Sequence, residues 1–397
     1  MTSTPNPEQE RIDERIAQLL AGTAERSGPE FWGKTYDYGL AWVHFSEGFG
    51  GLALSPKYQK GIIARLRDEG ASFGNYQMNL LGIGMGGPVL SAHGTDEQKT
   101  RWLRPMYTAE EIWCQMFSEP GSGSDVASLS MRAVRDGDEW IVNGQKVWTT
   151  LAHVASWGML VTRTDPDVPK HQGLTYFVVD MKSPGLEVRP LYQITGEAEF
   201  NEVYFTDTRI PDRDRVGEVG DGWRLTLTTL MNERVAIGSN VVPRGSGAIG
   251  DAVRVFNEKG ITDRLKRDKL ASLWVEAEAM RLTNIRASDH PKKGVPGPEG
   301  STGKLHWADL NKRITEFTLD LLGADGLVLP GGYTQIRPPV AGLSGQTAQR
   351  AFLRARANSI EGGTSEVMKN ILGERVLGLP GEPRVDKDLP WKDVPRS

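Results

Sequence analysis

"QMFSEPGSGSDVASLSMRAVRDGDEWIVNGQKVWTT", residues 115–150, is where the texture of the chain changes. Short runs rich in valine, aromatics and threonine, cut by glycine turns, replace longer helical periodicities. The same texture continues through "GMLVTRT", "LTYFVVDM", "GLEVRPL" and "NEVYFTDTRI". Residues 114–219 are therefore expected to form a β domain, a small barrel or sandwich. Working outward, helical patterns dominate upstream. "HGTDEQKTRWL" places Thr95 three residues before Gln98, a capping-box signature ahead of an amphipathic helix. Downstream of Asp221, "WRLTLTTLMNERVAIGSNVV", "RLKRDKLASLWVEAEAMRLTNIR", "KLHWADLNKRITEFTLDLLG" and "TSEVMKNILGERVLGL" return to helical spacing. The expectation is an α+β multidomain chain. It has a helical N-terminal domain over 1–113, the β domain over 114–219, a C-terminal four-helix bundle over 220–380 and an extended tail over 381–397. "HPKKGVPGPEGSTG" reads as a loop between helices.

Composition narrows the function classes. The 397 residues exceed what one hydrophobic core usually serves. No apolar run is long enough to cross a bilayer, so a soluble protein is expected. The opening residues lack the basic, apolar, small-residue order of a secretory signal. A single cysteine, Cys114, rules out an intramolecular disulfide framework and suits a reducing cytoplasm. The net charge of -4 argues against nucleic acid as the main partner. Six scattered histidines without ligand spacing give a metal site no support.

Three apparent motifs fail on context. "GIGMGG", Gly82 to Gly87, matches GxGxxG, but Pro88 follows and no strand precedes it. "GPEGSTGK" has one residue too many for a P-loop. Ser301 and Lys304 match SxxK without its companion elements. Each reads as loop. One constellation survives. Small residues at Gly121, Ser122, Gly123 and Ser124 let a backbone approach a flat ligand, with hydroxyls at Ser118 and Ser124. Trp148 offers a planar surface and Thr150 a short donor on the same side of a strand. A tight turn followed by a core tryptophan is the plainer reading of the same residues.

"SEPGSGSD", "DGDEWIVNGQKVWTT", "DGWRLTLTTLMNERVAIG", "GPEGSTGKL" and "IEGGTSEVMKNILGERVLGLP" resemble, in order, spacing and wording, the acyl-CoA dehydrogenase family. The resemblance covers nearly the whole chain and is weakest in the first sixty residues. It implies FAD in the cleft between the β domain and the bundle. The reaction it implies is α,β-dehydrogenation of an acyl-CoA thioester, with electrons leaving through an electron-transfer flavoprotein. By the same resemblance Gln115, Phe117 and Ser118 lie beside the isoalloxazine, Gly123 and Ser124 form its turn, and Trp148 and Thr150 face the flavin. Thr364 and Glu366 match positions near the dinucleotide, and Ser124 also lines the CoA channel. The peptide N–H of Gly362 would polarise the thioester carbonyl.

That chemistry needs a general base, and a carboxylate in an apolar slot suits it because desolvation raises its pKa. Glu233 and Arg234 are the only charged residues between Arg224 and Arg244, in "LTTLMNERVAIG". Half of a buried ion pair is the competing reading of that carboxylate. The family places its base either directly before a Gly-Thr pair or on the first long helix of the bundle. Gly362 occupies the first position, and Glu233 falls on the second. Glu361 is the rival, and Arg234 is expected to orient the site. Two departures matter. The Arg-x-x-Phe-Gly element that reaches a partner's FAD is missing from "NEKGITDRLKRDKLASLW", and Asp320 and Ala324 replace the usual Gln and Gly. The chain thus resembles the catalytic member of a pair of different chains, with a homo-oligomer as the alternative. A subunit inactive without its partner and an acyl-CoA oxidase are the other readings.

Overall fold

Asn6 opens the first helix by accepting a hydrogen bond from the Glu8 N–H, and helices then alternate with tight loops as far as Tyr107. The computed structural model describes residues 6–238, 242–289, 300–340, 347–381, 383 and 386–395, with the side chains of 233–238 and 287–289 outside that set. The first helices are α1 (Pro7–Gly22), α2 (Gly28–Asp37), α3 (Gln59–Asp68), α4 (Gly74–Met78), α5 (Gly87–His93) and α6 (Asp96–Tyr107). Thr95 and Gln98 form the reciprocal capping box of α6. Ile12, Ile16 and Leu19 put the inner face of α1 into a core shared with Phe31, Trp42, Leu103 and Tyr107.

"GIGMGG" is not the loop expected from its glycines. Gly82–Gly86 is a wide π-helical turn that runs into α5. Its glycines serve packing: a Cβ on Gly87 would sit 2.9 Å from the Trp42 ring, and one on Gly86 3.2 Å from Met106. Tertiary contact outweighs the low helix propensity of glycine here.

The strands are β1 (Trp113–Met116), β2 (Arg132–Asp136), β3 (Glu139–Thr150), β4 (Trp157–Arg163), β5 (Leu174–Asp180), β6 (Leu186–Leu191), β7 (Phe200–Pro211) and β8 (Arg215–Val216). They form one hydrogen-bonded sheet in the order β6-β7-β3-β2-β4-β5-β8, with β1 parallel to β4. The unbroken apolar runs of β4 and β5 follow from burial on both faces. Met159, Val161, Tyr176 and Val178 join the core of the N-terminal helices, whereas Leu160, Phe177 and Val179 join a second core on the other face. Cys114 lies in that second core, where burial pushes its thiol up.

The C-terminal helices are α7 (Gly222–Gly238), α8 (Ala248–Glu258), α9 (Arg264–Asp289), α10 (Gly300–Leu322), α11 (Ala348–Ala355) and α12 (Ser365–Ile371). Leu225 of α7 belongs to the N-terminal core, so α7 begins against the sheet and α5. A third core gathers Ile249, Val255, Leu273, Leu310, Ile314 and Phe317 from α8, α9 and α10. Ser301 and Lys304, expected in a loop, lie in the first turns of α10. Ile336, between α10 and α11, pairs with the connection between β6 and β7, where the Ala198 N–H donates to the Ile336 carbonyl and the Ile336 N–H to the Gly196 carbonyl. Among the described residues no helix is long and apolar enough to cross a membrane.

Candidate active site

The turn after β1 is held from beneath. Lys146, on β3, is fully buried, and its ammonium donates to the Phe117 carbonyl at 3.0 Å and to the Glu119 carboxylate at 2.9 Å. Glu119 also accepts from the Ser130 and Met131 peptide N–H groups. Burial pushes its carboxyl up, but Lys146 and these donors outweigh that and hold it below the usual range. The Ser118 carbonyl accepts from the Val147 N–H. Phe117 is thereby seated against Tyr176, while Gly123 and Ser124 stand exposed at the tip of the turn.

A bulge aims Trp148. Lys146 faces Val203 and Thr149 faces Asn201, so three steps along β3 oppose two along β7. Trp148 takes φ +60°, and its indole is 57% exposed. A bulky residue in the left-handed region is strained, and such strain gathers at ligand-binding positions. The indole meets Phe200 edge-on at 5.8 Å, and Thr150 stands beside Phe200 across the β3–β7 ladder. Gln115 lies half-buried on β1.

From Phe200 the contacts cross to the bundle. The Arg354 guanidinium lies 5.8 Å from the Phe200 ring and pairs with buried Glu199 at 3.4 Å. It also makes a bidentate bond to Glu361, at 3.0 and 2.8 Å, and Asn358 donates to the same carboxylate. Burial pushes the Glu199 carboxyl up despite that guanidinium. Gly362 and Gly363 follow with φ of +62° and +91°. Thr364 then caps α12, accepting from the Val367 N–H. Trp148, Phe200, Arg354 and the Glu361–Thr364 turn thus form one continuous chain of contacts across the domain boundary. Thr364 and Glu366 line a groove of about 680 Å³ against α10, with Lys312 and Lys369 in its walls. Glu233 and Arg234 fall in the last turns of α7, and their side chains lie outside the described residues.

Sequence reasoning passed over Lys146, Glu119, Glu199 and Arg354, and read Lys304 as a loop residue. Only Lys146 carried a local signal, since it shares inward parity with Trp140 and Val142 on β3.

Comparison with known proteins settles the family. Profiles described as the N-terminal, middle and C-terminal domains of acyl-CoA dehydrogenase match residues 9–110, 114–208 and 220–377. "Acyl-CoA dehydrogenase IpdE1" of Mycobacterium tuberculosis is 36% identical over 347 residues, 87% of this chain and 86% of that one.

The chain belongs to the acyl-CoA dehydrogenase family.

Its members are FAD-dependent oxidoreductases that act on acyl-CoA. Among solved structures, "Tcur3481-Tcur3483 steroid ACAD" is similar at TM-score 0.71 and 26% identity, covering 96% of this chain and 99% of that one. The "ChsE4-ChsE5 complex" of Mycobacterium tuberculosis is similar at TM-score 0.69 and 26% identity, covering 96% and 100%. The acyl-CoA dehydrogenase residues found here suit FAD. The strained, exposed Trp148 offers a face for a planar ring, and the groove beside Thr364 carries Lys312 and Lys369 together with the carboxylates of Asp309 and Glu366.

Proposed function

We propose that this acyl-CoA dehydrogenase removes the α-proton of an acyl-CoA thioester with Glu233, yielding the trans-2-enoyl thioester. The observation that carries the choice of base is the state of its rival. The Glu361 carboxylate is engaged by both arms of Arg354 and by Asn358, so its oxygens are committed to partners within the protein rather than free to approach a substrate carbon. Gly362 carries no carboxylate. A side chain there would meet a left-handed backbone costing about 1–2 kcal/mol. Glu233 is then the remaining acid at the family's two base positions. Bound FAD would accept the hydride leaving the β-carbon. Gln115, Phe117, Ser118, Trp148 and Thr150 form its flavin bed, with Gly123 and Ser124 at the turn and Thr364 and Glu366 on the dinucleotide side. Ser124 lines the CoA channel, Arg234 orients the site, and the Gly362 N–H donates to the thioester carbonyl. An electron-transfer flavoprotein takes the electrons onward.

A second chain of the same fold completes the assembly in this reading. What supports it is the missing Arg-x-x-Phe-Gly element together with apolar side chains left in water on α9, namely Leu265, Val275 and Leu282. The solved relatives just named are two-chain complexes. One of them is named a steroid enzyme, which makes CoA thioesters of steroid-derived acids the first substrates to try, beside straight and branched acyl chains.

The test is anaerobic bleaching of the flavin by that panel, run beside Glu233→Gln. The expected outcome is bleaching by the wild type and a loss of about a hundredfold or more in the variant, with flavin retained. A variant that bleaches at the wild-type rate removes Glu233 as base. A wild type that no thioester bleaches, alone or with its partner chain, removes the dehydrogenation reading.

A further inference from the structure

Lys304 reaches from the second turn of α10 to the turn just described. Its ammonium donates to the Asn358 carbonyl at 2.8 Å and to the Gly363 carbonyl at 2.5 Å, two acceptors that bracket Ser359–Gly362. Other side chains secure the first half of that segment. Asn311 donates to the Asn358 amide oxygen at 2.8 Å, Asn358 to Glu361, and Arg354 grips Glu361. Gly362 and Gly363 have no side chains to be gripped. Two consecutive glycines in the left-handed region carry the largest backbone entropy, so their geometry has to be imposed from outside. Lys304 does so through the Gly363 carbonyl. Because that carbonyl shares a peptide group with the Thr364 N–H, an ammonium on the oxygen also polarises the N–H that starts α12.

We infer that Lys304 is a positioning residue of the dehydrogenation: by holding both ends of the Asn358–Gly363 turn it keeps the Gly362 N–H aimed at the thioester carbonyl. This rests on the reading of Gly362 as that carbonyl's donor. The ammonium itself transfers no proton. Its effect is geometric, and a donor displaced by about an ångström costs on the order of a hundredfold in rate.

The test compares FAD-loaded wild type with Lys304→Met and Lys304→Arg by two measurements. Amide hydrogen exchange over residues 357–364, with no thioester present, reads the turn itself. Exchange about tenfold faster in the Met variant and restored to within about threefold in the Arg variant is expected. Unchanged exchange in the Met variant overturns the assignment. Single-turnover flavin reduction by the panel thioester that bleaches the wild type fastest then reads the reaction. The limiting rate in Lys304→Met is expected to fall about 10- to 100-fold, with the thioester's dissociation constant within about threefold of wild type. A limiting rate within threefold of wild type, or a defect wholly in binding, overturns it. Should the Met variant fail to fold, Lys304→Gln, which keeps N–H donors without the charge, is judged by the same thresholds. Failure of every thioester to bleach the wild type strikes the dehydrogenation reading, whereas the exchange measurement still decides the clamp.

Discussion

A lysine on the inward face of a strand has few ways to be stable, and Lys146 uses the main one. Its charge is matched by Glu119 and a second N–H serves the Phe117 carbonyl, so the ammonium meets both a carboxylate and a peptide acceptor in the core. Replacing it with methionine strands the Glu119 carboxylate in the interior. Lys146→Met is therefore expected to lower unfolding free energy by about 3–5 kcal/mol in urea titration of the apoprotein. Adding Glu119→Leu should not restore the loss, because the Ser130 and Met131 N–H groups then lose their acceptor. The pair also sets an acid limit. The folded-state pKa of Glu119 is depressed, so the unfolded chain takes up the proton first. Its contribution is complete above the ordinary glutamate value of 4.5 and is lost as pH falls through the lower folded value. A Glu119→Gln protein should accordingly show a flatter stability profile below that pH. At this scale the sequence was legible only where parity spoke. The partner of Lys146 is 27 positions away in the chain, and Arg354 and Glu199 are separated further still.

At the scale of the element, β3 was readable as a strand but not as a bulged one. Alternation in "EWIVNGQKVWTT" gives the strand, whereas the extra residue between Lys146 and Thr149 is visible only against β7. That bulge is what turns Trp148 outward, and it stores strain at φ +60°. Trp148→Gly removes the strain together with the indole, so stability and ligand binding should part company. The variant apoprotein is expected to unfold within about 1 kcal/mol of wild type, while FAD affinity falls about tenfold or more by fluorescence titration. A comparable loss of both would mean that the indole is a structural anchor. The misread start of α10 has a related cause. Gly300 and Gly303 suggest a loop by propensity, yet Gly303 faces Asn284 of α9 so closely that a Cβ would lie 3.3 Å from its side-chain oxygen. Small residues there permit the approach of two helices, a tertiary effect that local pattern does not report.

Across the whole molecule, the order of helical, β and helical regions was legible because periodicity changes near Trp113 and again near Asp221, whereas the path of the last residues was not. The sequence reads as an extended tail there, and residues 386–394 fold back on the connection between β4 and β5. The Trp391 N–H donates to Val168 and the Lys392 N–H to Pro166. The Trp391 ring lies 4.5 Å from the Arg163 guanidinium, and its indole N–H donates to the Ser128 carbonyl. Lys170 links this strap to the exposed turn, its ammonium bonding both Asp386 and Asp125 at 2.5 and 2.6 Å. Asp125 directly follows Ser124, and the Ser122 hydroxyl donates to its carbonyl. The strap thus stiffens the turn that, in the proposed function, faces flavin and CoA. Ending the chain after residue 385 removes Asp386 and Trp391 together. The expected loss of global stability is small, about 1–2 kcal/mol, because most of the contacts are made to connecting loops rather than within a hydrophobic core. The local effect should be larger. Amide exchange over residues 121–130 is expected to quicken about tenfold, and KM for the thioester to rise about three- to tenfold with kcat nearly unchanged, the pattern of a loosened binding loop over an intact reaction centre. A kcat that falls with unchanged KM would place the strap's influence on the reacting groups instead.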